Sequence, residues 1–131
     1  MVSSGWGEDL QTPPGTNRVA VTVHNDQGRL CTVAVERVAS GTDRLRYDGT
    51  ESAVAELTPD VIERLFVALS VSGRTAIPTR CSGGGACTLL IIGQRDGTRV
   101  YFHAATAFGA VLDRDAVDDL RTAVERLLQR G

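Results

Sequence analysis

The side chains with the most reactive chemistry in this chain are few: the cysteines are Cys31, Cys81 and Cys87, and the histidines are His24 and His103. Cys81 and Cys87 enclose a glycine-rich segment, whose backbone N–H groups could hold an anion. A phosphate-binding P-loop also needs a Lys and a following helix, whereas this chain contains no Lys and a strand-like run follows the segment. A phosphatase loop needs an Arg at the position that Cys87 occupies. The sequence therefore excludes both phosphate motifs and indicates an exposed surface loop.

The two cysteines of this loop can also bond to each other. Five residues, three of them Gly, separate Cys81 from Cys87, and closing so short a loop adds about 2 kcal/mol of stability in the chain-entropy model. The sequence leaves the oxidation state open, because a disulfide depends on the redox compartment. Cys31 alternates with Val33 and Val35, which predicts an inert buried thiol. A zinc site needs about four ligands at a recognised spacing, so neither a metal nor another cofactor is expected.

His103 and Tyr101 form the best candidate catalytic pair. They share one face of a predicted strand, where His103 could act as a general base beside the Tyr hydroxyl. All 14 basic residues are Arg, which excludes Schiff-base and Lys general-base catalysis. No Ser-His-Asp or Cys-His pairing is visible from the spacing. We therefore interpret His103 as a partly exposed strand residue, and a small enzyme that uses His103 and Tyr101 is an alternative hypothesis.

Length and composition predict one folded domain. The chain has 131 residues and a formal net charge of −2, which argues against nucleic-acid binding. No apolar run is long enough for a transmembrane helix, and no signal peptide is visible. The Lys-free composition indicates a GC-rich bacterial genome, and the location is left open between the cytoplasm and, if a leader or lipid anchor has been removed, the extracytoplasmic space. Residues 1–17 predict a flexible tail that contains Trp6, and residues 18–131 predict the domain.

Residues 18–38 predict a β-hairpin, because valines alternate with other residues on both sides of Gly28. A three-residue loop with Gly28 in the left-handed conformation pairs Val21 with Val33 and places every Val of the hairpin on one face. A short third strand is expected at residues 44–47.

Residues 58–71 predict the first helix, because apolar side chains recur there at helical spacing. Thr58 is a favourable N-cap, and Pro59 suits the first helical position. The segment that follows, residues 73–86, is predicted to be a long loop.

Residues 87–105 predict a second hairpin with a two-residue turn at 96–97, where the sequence Asp-Gly is a strong turn signal. That turn pairs Ile91 with Phe102. Residues 114–129 predict a second helix with one apolar stripe.

Together these elements predict an α+β fold, in which an antiparallel β-sheet of four to five strands packs on two helices in the order ββ(β)α–ββα. Each half contains a hairpin with a Gly turn and then a capped helix, which points to a duplication. The spacing of the predicted elements differs between the halves, so the sequence leaves the duplication open.

The second hairpin is apolar on both faces, although one face suffices to pack two helices. The surplus face carries Leu90, Ile92 and Tyr101, with His103 beside them and Arg99 at the rim. An apolar patch of this kind marks an interaction surface. The leading hypothesis is therefore a non-enzymatic bacterial binding or assembly module, whose patch is covered by the N-terminal tail, by a protein partner or by a second copy. The alternative is that helices flank both sides of the sheet and cover the patch. A homodimer is the simplest cover, because a two-fold axis matches the patch with itself.

A second alternative is a secreted protease inhibitor that presents residues 74–87. Arg80 would enter a trypsin-like pocket, and Cys81 and Cys87 would clamp the loop that contains Gly84. The order of strands, helix and exposed loop resembles that of the actinobacterial subtilisin inhibitors, whose four-cysteine framework is absent here. This resemblance implies protease inhibition as an expected activity.

Overall fold

The fold is described by a computed structural model, for residues 16–38, 42–49, 51–81, 85–103 and 107–129. The described part of the chain forms two successive units of four strands and one helix. The first unit contains β1 (Thr16–Asn25), β2 (Leu30–Val38), β3 (Asp43–Asp48), β4 (Ser52–Leu57) and α1 (Pro59–Ser70). The second unit contains β5 (Gly73–Arg80), β6 (Ala86–Gln94), β7 (Gly97–His103), β8 (Ala107–Leu112) and α2 (Arg114–Leu128). Residues 1–15 of the predicted tail, with Trp6, lie outside the described residues, and β1 already begins at Thr16.

The strands form one antiparallel sheet in the order β4-β3-β2-β1-β8-β7-β6-β5. The edge strands β4 and β5 come together through a bridge between Ala55 and Cys81, and the Thr79 hydroxyl donates a hydrogen bond to the Glu56 carbonyl at 2.6 Å. The sheet is therefore a nearly closed barrel with two helices. The α+β class is retained, but the predicted sheet of four to five strands in the order ββ(β)α–ββα is wrong, because β4, β5 and β8 were missed.

The largest of these corrections is β5, which replaces the predicted long loop. Gly73 and Pro78 both argue against a strand at the sequence level. Gly loses more conformational entropy on folding than other residues, and Pro has no N–H to donate to a neighbouring strand. Pro78 is accepted here because β5 is an edge strand, and among the described residues its outer side meets β4 through one bridge and the Thr79 hydrogen bond. The strand nevertheless pairs with β6 along its whole length.

The second hairpin also has a different register from the predicted one. Ile91 pairs with Val100 rather than with Phe102, because the turn uses the two residues before Gly97. Gly97 begins β7, and a side chain there would collide with the carbonyl oxygen of Leu112 in β8. The register differs by two residues, which is the side-chain period of a strand, so every side chain keeps its predicted face.

The first hairpin has the predicted register. Val21 lies opposite Val33, and Val23 lies opposite Cys31. Gly28 has a φ of 83°, the left-handed conformation that a residue without Cβ adopts at little cost. The strand β3 covers the predicted third strand and extends it at both ends.

Both predicted helices are confirmed, with side-chain caps at their first turns. The Thr58 hydroxyl accepts a hydrogen bond from the Val61 N–H at 3.4 Å, and the Asp113 carboxylate accepts one from the Ala116 N–H at 2.8 Å. Such caps satisfy backbone donors that have no partner within the helix. No helix in the described part of the chain is both long and apolar enough to cross a membrane.

The core fills the space between the inner side of the barrel and the two helices. The core includes side chains from both hairpins and both helices, which are all buried: Val21, Val33, Leu65, Ile91, Phe102, Leu120 and Leu127. Near its middle the rings of Tyr47 and Phe102 pack with their centroids 5.9 Å apart. Cys31 is buried and free, as its alternation with Val33 predicts.

The two units are structural repeats of each other. Adding 56 to the residue numbers of β1 and β2, or 55 to those of β3, β4 and α1, gives the equivalent positions of the second unit. The bridge between Ala55 and Cys81 then matches the pair of Ala110 with Asn25, which joins β8 to β1. The Asn25 N–H donates to the Arg29 carbonyl at 2.7 Å, and the equivalent Cys81 N–H donates to the Gly85 carbonyl at 2.9 Å. The strand order repeats in the same way, so the fold has an internal pseudo-two-fold axis.

Identical residues at equivalent positions support the repeat. Such pairs include Arg18 and Arg74, Cys31 and Cys87, Thr32 and Thr88, Arg44 and Arg99, Leu57 and Leu112, and Leu65 and Leu120. The core contact of Tyr47 with Phe102 also joins equivalent positions, as expected for residues beside the pseudo-axis. The duplication that the sequence left open is therefore supported by register as well as by residue type.

Two buried groups predict how stability depends on pH. Burial raises the pKa of the Cys31 thiol above its ordinary value of 9.0, although its hydrogen bond with Tyr47 opposes this. Burial likewise raises the pKa of Tyr47 above 10.0, and the hydrogen bond with Asn25 opposes it. A raised folded-state pKa gives stability that is fully present below the unfolded value and is lost as the pH rises through the folded value. We expect the urea midpoint to fall above about pH 9. A variant with Tyr47→Phe and Cys31→Ala should lose much of this dependence, and an unchanged dependence would contradict the assignment.

Candidate functional site

The candidate site is the outward-facing surface of β5, β6 and β7. Along this surface Arg74 lies opposite Ile92, which lies opposite Arg99 on the other side. Leu90 lies opposite Tyr101 in the next outward-facing row. We call the surface formed by Arg74, Leu90, Ile92, Arg99 and Tyr101 the outer patch. The structure thus brings four of the predicted binding residues together and adds Arg74.

Both helices pack against the other face of these strands. The core that joins the helices to β6 and β7 contains Leu89, Ile91 and Phe102 but none of the outer patch. Leu90, Ile92 and Tyr101 are half-buried by their own neighbours, and Arg74 and Arg99 are exposed. The apolar centre of the patch is therefore covered by neither helix.

The position of Tyr101 depends on Gly109 in β8. The two residues are cross-strand partners, and a Cβ at Gly109 would collide with the Tyr101 ring. The missing side chain lets the ring lie over the backbone of β8. His103 is exposed, and its ring centroid lies 6.2 Å from that of Tyr101 in an edge-on arrangement. The predicted neighbourhood of these two residues is thus observed.

The charge of the outer patch is entirely positive. The sequences of β5 to β8 contain Arg74, Arg80 and Arg99 but no Asp or Glu. Within the described residues neither Arg74 nor Arg99 forms an ion pair. The nearest acid along the chain is Asp96, which lies in the turn between β6 and β7. The patch therefore offers two free guanidinium groups beside an apolar centre.

The equivalent surface of the first unit is arranged differently. Glu36 in β2 is buried and forms ion pairs with Arg44 at 3.3 Å, with Arg46 at 3.0 Å and with Arg18 at 3.7 Å. The bond from the Arg46 Nε to the Glu36 carboxylate is also a hydrogen bond. The first unit therefore pairs its outward-facing arginines with a carboxylate of its own, and Arg18 also reaches Asp48 at 3.9 Å.

The loop around Cys81 and Cys87 is shorter than the predicted loop of residues 73–86, because residues 73–80 form β5. Arg80 is exposed at the end of β5 and pairs with Ala86. The sulfur atoms of Cys81 and Cys87 lie at disulfide-bonding distance, with their Cα atoms 5.6 Å apart. Residues 82–84, which include Gly84, lie outside the described residues. Residues 74–80, expected as part of an inhibitory loop, are held in the sheet by β6.

A further cavity of about 320 Å³ lies between the C-terminal end of α1, the β6–β7 turn and the first turns of α2. Arg95, Arg114 and Arg121 line it together with Asp118, and Asp118 pairs with Arg121 at 3.3 Å. This cavity could not be predicted from the sequence, because its residues come from three separate elements. No group of His, Cys, Asp or Glu among the described residues could hold a metal ion.

Comparison with known proteins identifies no relative. No protein-family model, curated protein or solved structure matches this chain.

Proposed function

We propose that the protein is a non-enzymatic binding module and that the outer patch binds an acidic segment of a partner protein. The observation that carries this proposal is Ile92, which lies between Arg74 and Arg99 on a surface that neither helix covers. Its neighbours Leu90 and Tyr101 supply apolar contact area. An interface commonly combines such an apolar centre with a polar rim.

The charges indicate which kind of partner fits. A carboxylate that approaches Arg74 or Arg99 gains a charge-assisted hydrogen bond, and no acid in the strands of the second unit competes with it. A second copy of the chain fits less well, because a two-fold contact through the patch would set the same arginines against each other. Like charges that meet in an interface oppose binding. The patch therefore favours an acidic partner over a homodimer.

The experiment compares Ile92→Arg with Thr22→Arg in the full chain. Both add one positive charge to an outward-facing strand position, but Thr22 is exposed in the first unit, outside the outer patch. Each tagged protein is incubated with an extract of the source organism, and the bound proteins are identified by mass spectrometry. Melting curves establish that both variants fold. We expect one acidic protein to bind the wild type and Thr22→Arg, and its binding to fall at least ten-fold with Ile92→Arg.

Sedimentation equilibrium provides the second measurement. We expect the wild type to be a monomer at concentrations up to about 0.1 mM, a range in which a weak dimer would be seen. A wild-type dimer that Ile92→Arg converts into a monomer would replace the acidic partner with a second copy. Binding of the same partner to wild type and Ile92→Arg alike would contradict the proposed function.

A further inference from the structure

The internal repeat shows what the second unit lacks. Arg18, Glu36 and Arg44 are neighbours across β1, β2 and β3. By the repeat offsets their equivalents are Arg74, Ile92 and Arg99, which are neighbours across β5, β6 and β7. The two arginines are thus retained in both units, while the position between them holds a carboxylate in one unit and an apolar side chain in the other.

The first unit shows how two such arginines hold a carboxylate. The Glu36 side chain is only 5% exposed, and its two oxygens divide between the guanidinium groups, with Oε1 at 3.3 Å from Arg44 and Oε2 at 3.7 Å from Arg18. Arg46 adds a third contact to Oε2 at 3.0 Å, which is a hydrogen bond, whereas the contacts of Arg18 and Arg44 are ion pairs without hydrogen-bond geometry. The spacing of strands in a sheet therefore places two arginines, one on each side, within reach of one carboxylate.

In the second unit two arginines occupy the same pair of strand positions, but the residue between them, Ile92, carries no charge. Arg74 and Arg99 are exposed, and within the described residues they have no acidic partner. We propose, building on the proposed function, that an Asp or Glu of the partner segment places its carboxylate over Ile92 between Arg74 and Arg99, as Glu36 does between Arg18 and Arg44. The protein thus contains an internal copy of the contact that it makes with its partner.

The residues around this contact indicate which side chains should lie near the Asp or Glu in the partner segment. By the repeat offsets Leu90 stands where the first unit has Ala34, and Tyr101 stands where it has Arg46. The third arginine of the first unit is thereby replaced by an aromatic ring, and a larger apolar side chain lies beside it. The segment that fits therefore carries an acidic residue and an apolar residue two positions apart, since alternate residues of an extended chain face the same side.

The test measures binding of two peptides to the full chain by fluorescence anisotropy. Both have eight residues and a fluorescein label. In one, Glu and Leu take turns at every second position with Ser between them (Glu-Ser-Leu-Ser-Glu-Ser-Leu-Ser), and in the other Gln replaces each Glu. We expect the wild type to bind the Glu peptide at least ten-fold more tightly than the Gln peptide, because only the carboxylate forms charge-assisted bonds with the arginines. We also expect Ile92→Glu to weaken binding of the Glu peptide at least ten-fold, because the introduced Glu side chain occupies the place between Arg74 and Arg99.

Matched variants separate the effect of a charge within the outer patch from the effect of the protein's net charge on peptide binding. Thr22→Glu adds the same charge outside the patch and should change binding of the Glu peptide less than two-fold. Glu36→Ile leaves Arg44 and Arg46 without their acid, while Arg18 keeps its ion pair with Asp48 at 3.9 Å. The number of Glu peptides bound should then rise from one to two. Melting curves establish that each variant folds. The double variant Arg74→Gln with Arg99→Gln provides the same test as Ile92→Glu without a change in the strand centre.

The outcomes distinguish this inference from the proposed function. If both peptides bind with equal affinity and Ile92→Arg weakens the binding of both, the carboxylate contact is overturned, but the proposed binding function of the patch is retained. Equal weakening by Ile92→Glu and Thr22→Glu would overturn it as well, and so would the absence of binding by either peptide. Partner capture that Ile92→Arg does not change would instead overturn the proposed function.

Discussion

Val33→Asp is expected to abolish cooperative folding. Val33 is fully buried at the centre of β2 and faces the core beside Val21. A buried carboxylate without a partner raises its pKa by about 3–5 units, and keeping the group protonated at pH 7 costs about 4 kcal/mol. Burying the protonated carboxyl group without a hydrogen bond adds about 1–3 kcal/mol. A domain of this size is stabilised by about 5–15 kcal/mol in total, so the substitution removes most of the folding free energy. Urea unfolding followed by circular dichroism measures the effect.

The control is Thr22→Asp, which introduces the same side chain on the outer side of the same hairpin. Thr22 is exposed and lies opposite Thr32, so its carboxylate stays in water and the change should lie within about 0.5 kcal/mol. A Val33→Asp protein that unfolds cooperatively near the wild-type midpoint would show that β2 presents its other face to the core.

The inner face of the first hairpin could be predicted because its sequence satisfies several local rules at once. Val alternation fixes the face, and Gly28 fixes the loop, so only one register places every Val inside. The helices were predictable for the same reason, since Thr58 and Asp113 provide caps before apolar stripes of helical period. In these segments the local preference and the final fold agree.

The missed strands are those in which local preference and fold disagree. β4 reads SAVAEL and carries few strong strand formers. β8 contains Gly109, a residue type that weakens a strand. Its role follows from the Tyr101 ring, which lies where a side chain at position 109 would be. Pro78 in β5 is tolerable only because that strand lies at the edge of the sheet. In each case the deciding contact comes from a neighbouring strand that the local sequence does not contain.

The candidate site was accessible from the sequence only in part. Alternation placed Leu90, Ile92 and Tyr101 on one face, and the structure keeps them there despite the different register. Arg74 was missed because it was assigned to a loop. Its relation to Arg99 follows from the repeat, whose units become comparable only once β4, β5 and β8 are in place.

Asn25→Cys is expected to create a second disulfide, with Cys31. By the repeat offset of 56, Asn25 and Cys31 are equivalent to Cys81 and Cys87, whose Cα atoms are 5.6 Å apart. Both pairs are six residues apart along the chain, and both first residues donate the same backbone hydrogen bond across the hairpin loop. Asn25 and Cys31 are buried, so the introduced thiol would face the existing one inside the barrel.

The bond is detected by digestion with trypsin under non-reducing conditions. Cleavage after Arg29 separates the two thiols, so the peptides 19–29 and 30–37 stay joined only if a disulfide links them. The oxidised variant should be about 2 kcal/mol more stable than its own reduced form from this loop alone, when the Cys81–Cys87 pair is replaced by Ser in both. The comparison within one variant cancels the loss of the Asn25 side-chain oxygen, which accepts hydrogen bonds from the Gln27 and Arg29 N–H groups. Free thiols at both positions after oxidation would show that the two units differ at this end of the barrel, and the equivalence on which the carboxylate contact depends would then rest on the strand register alone.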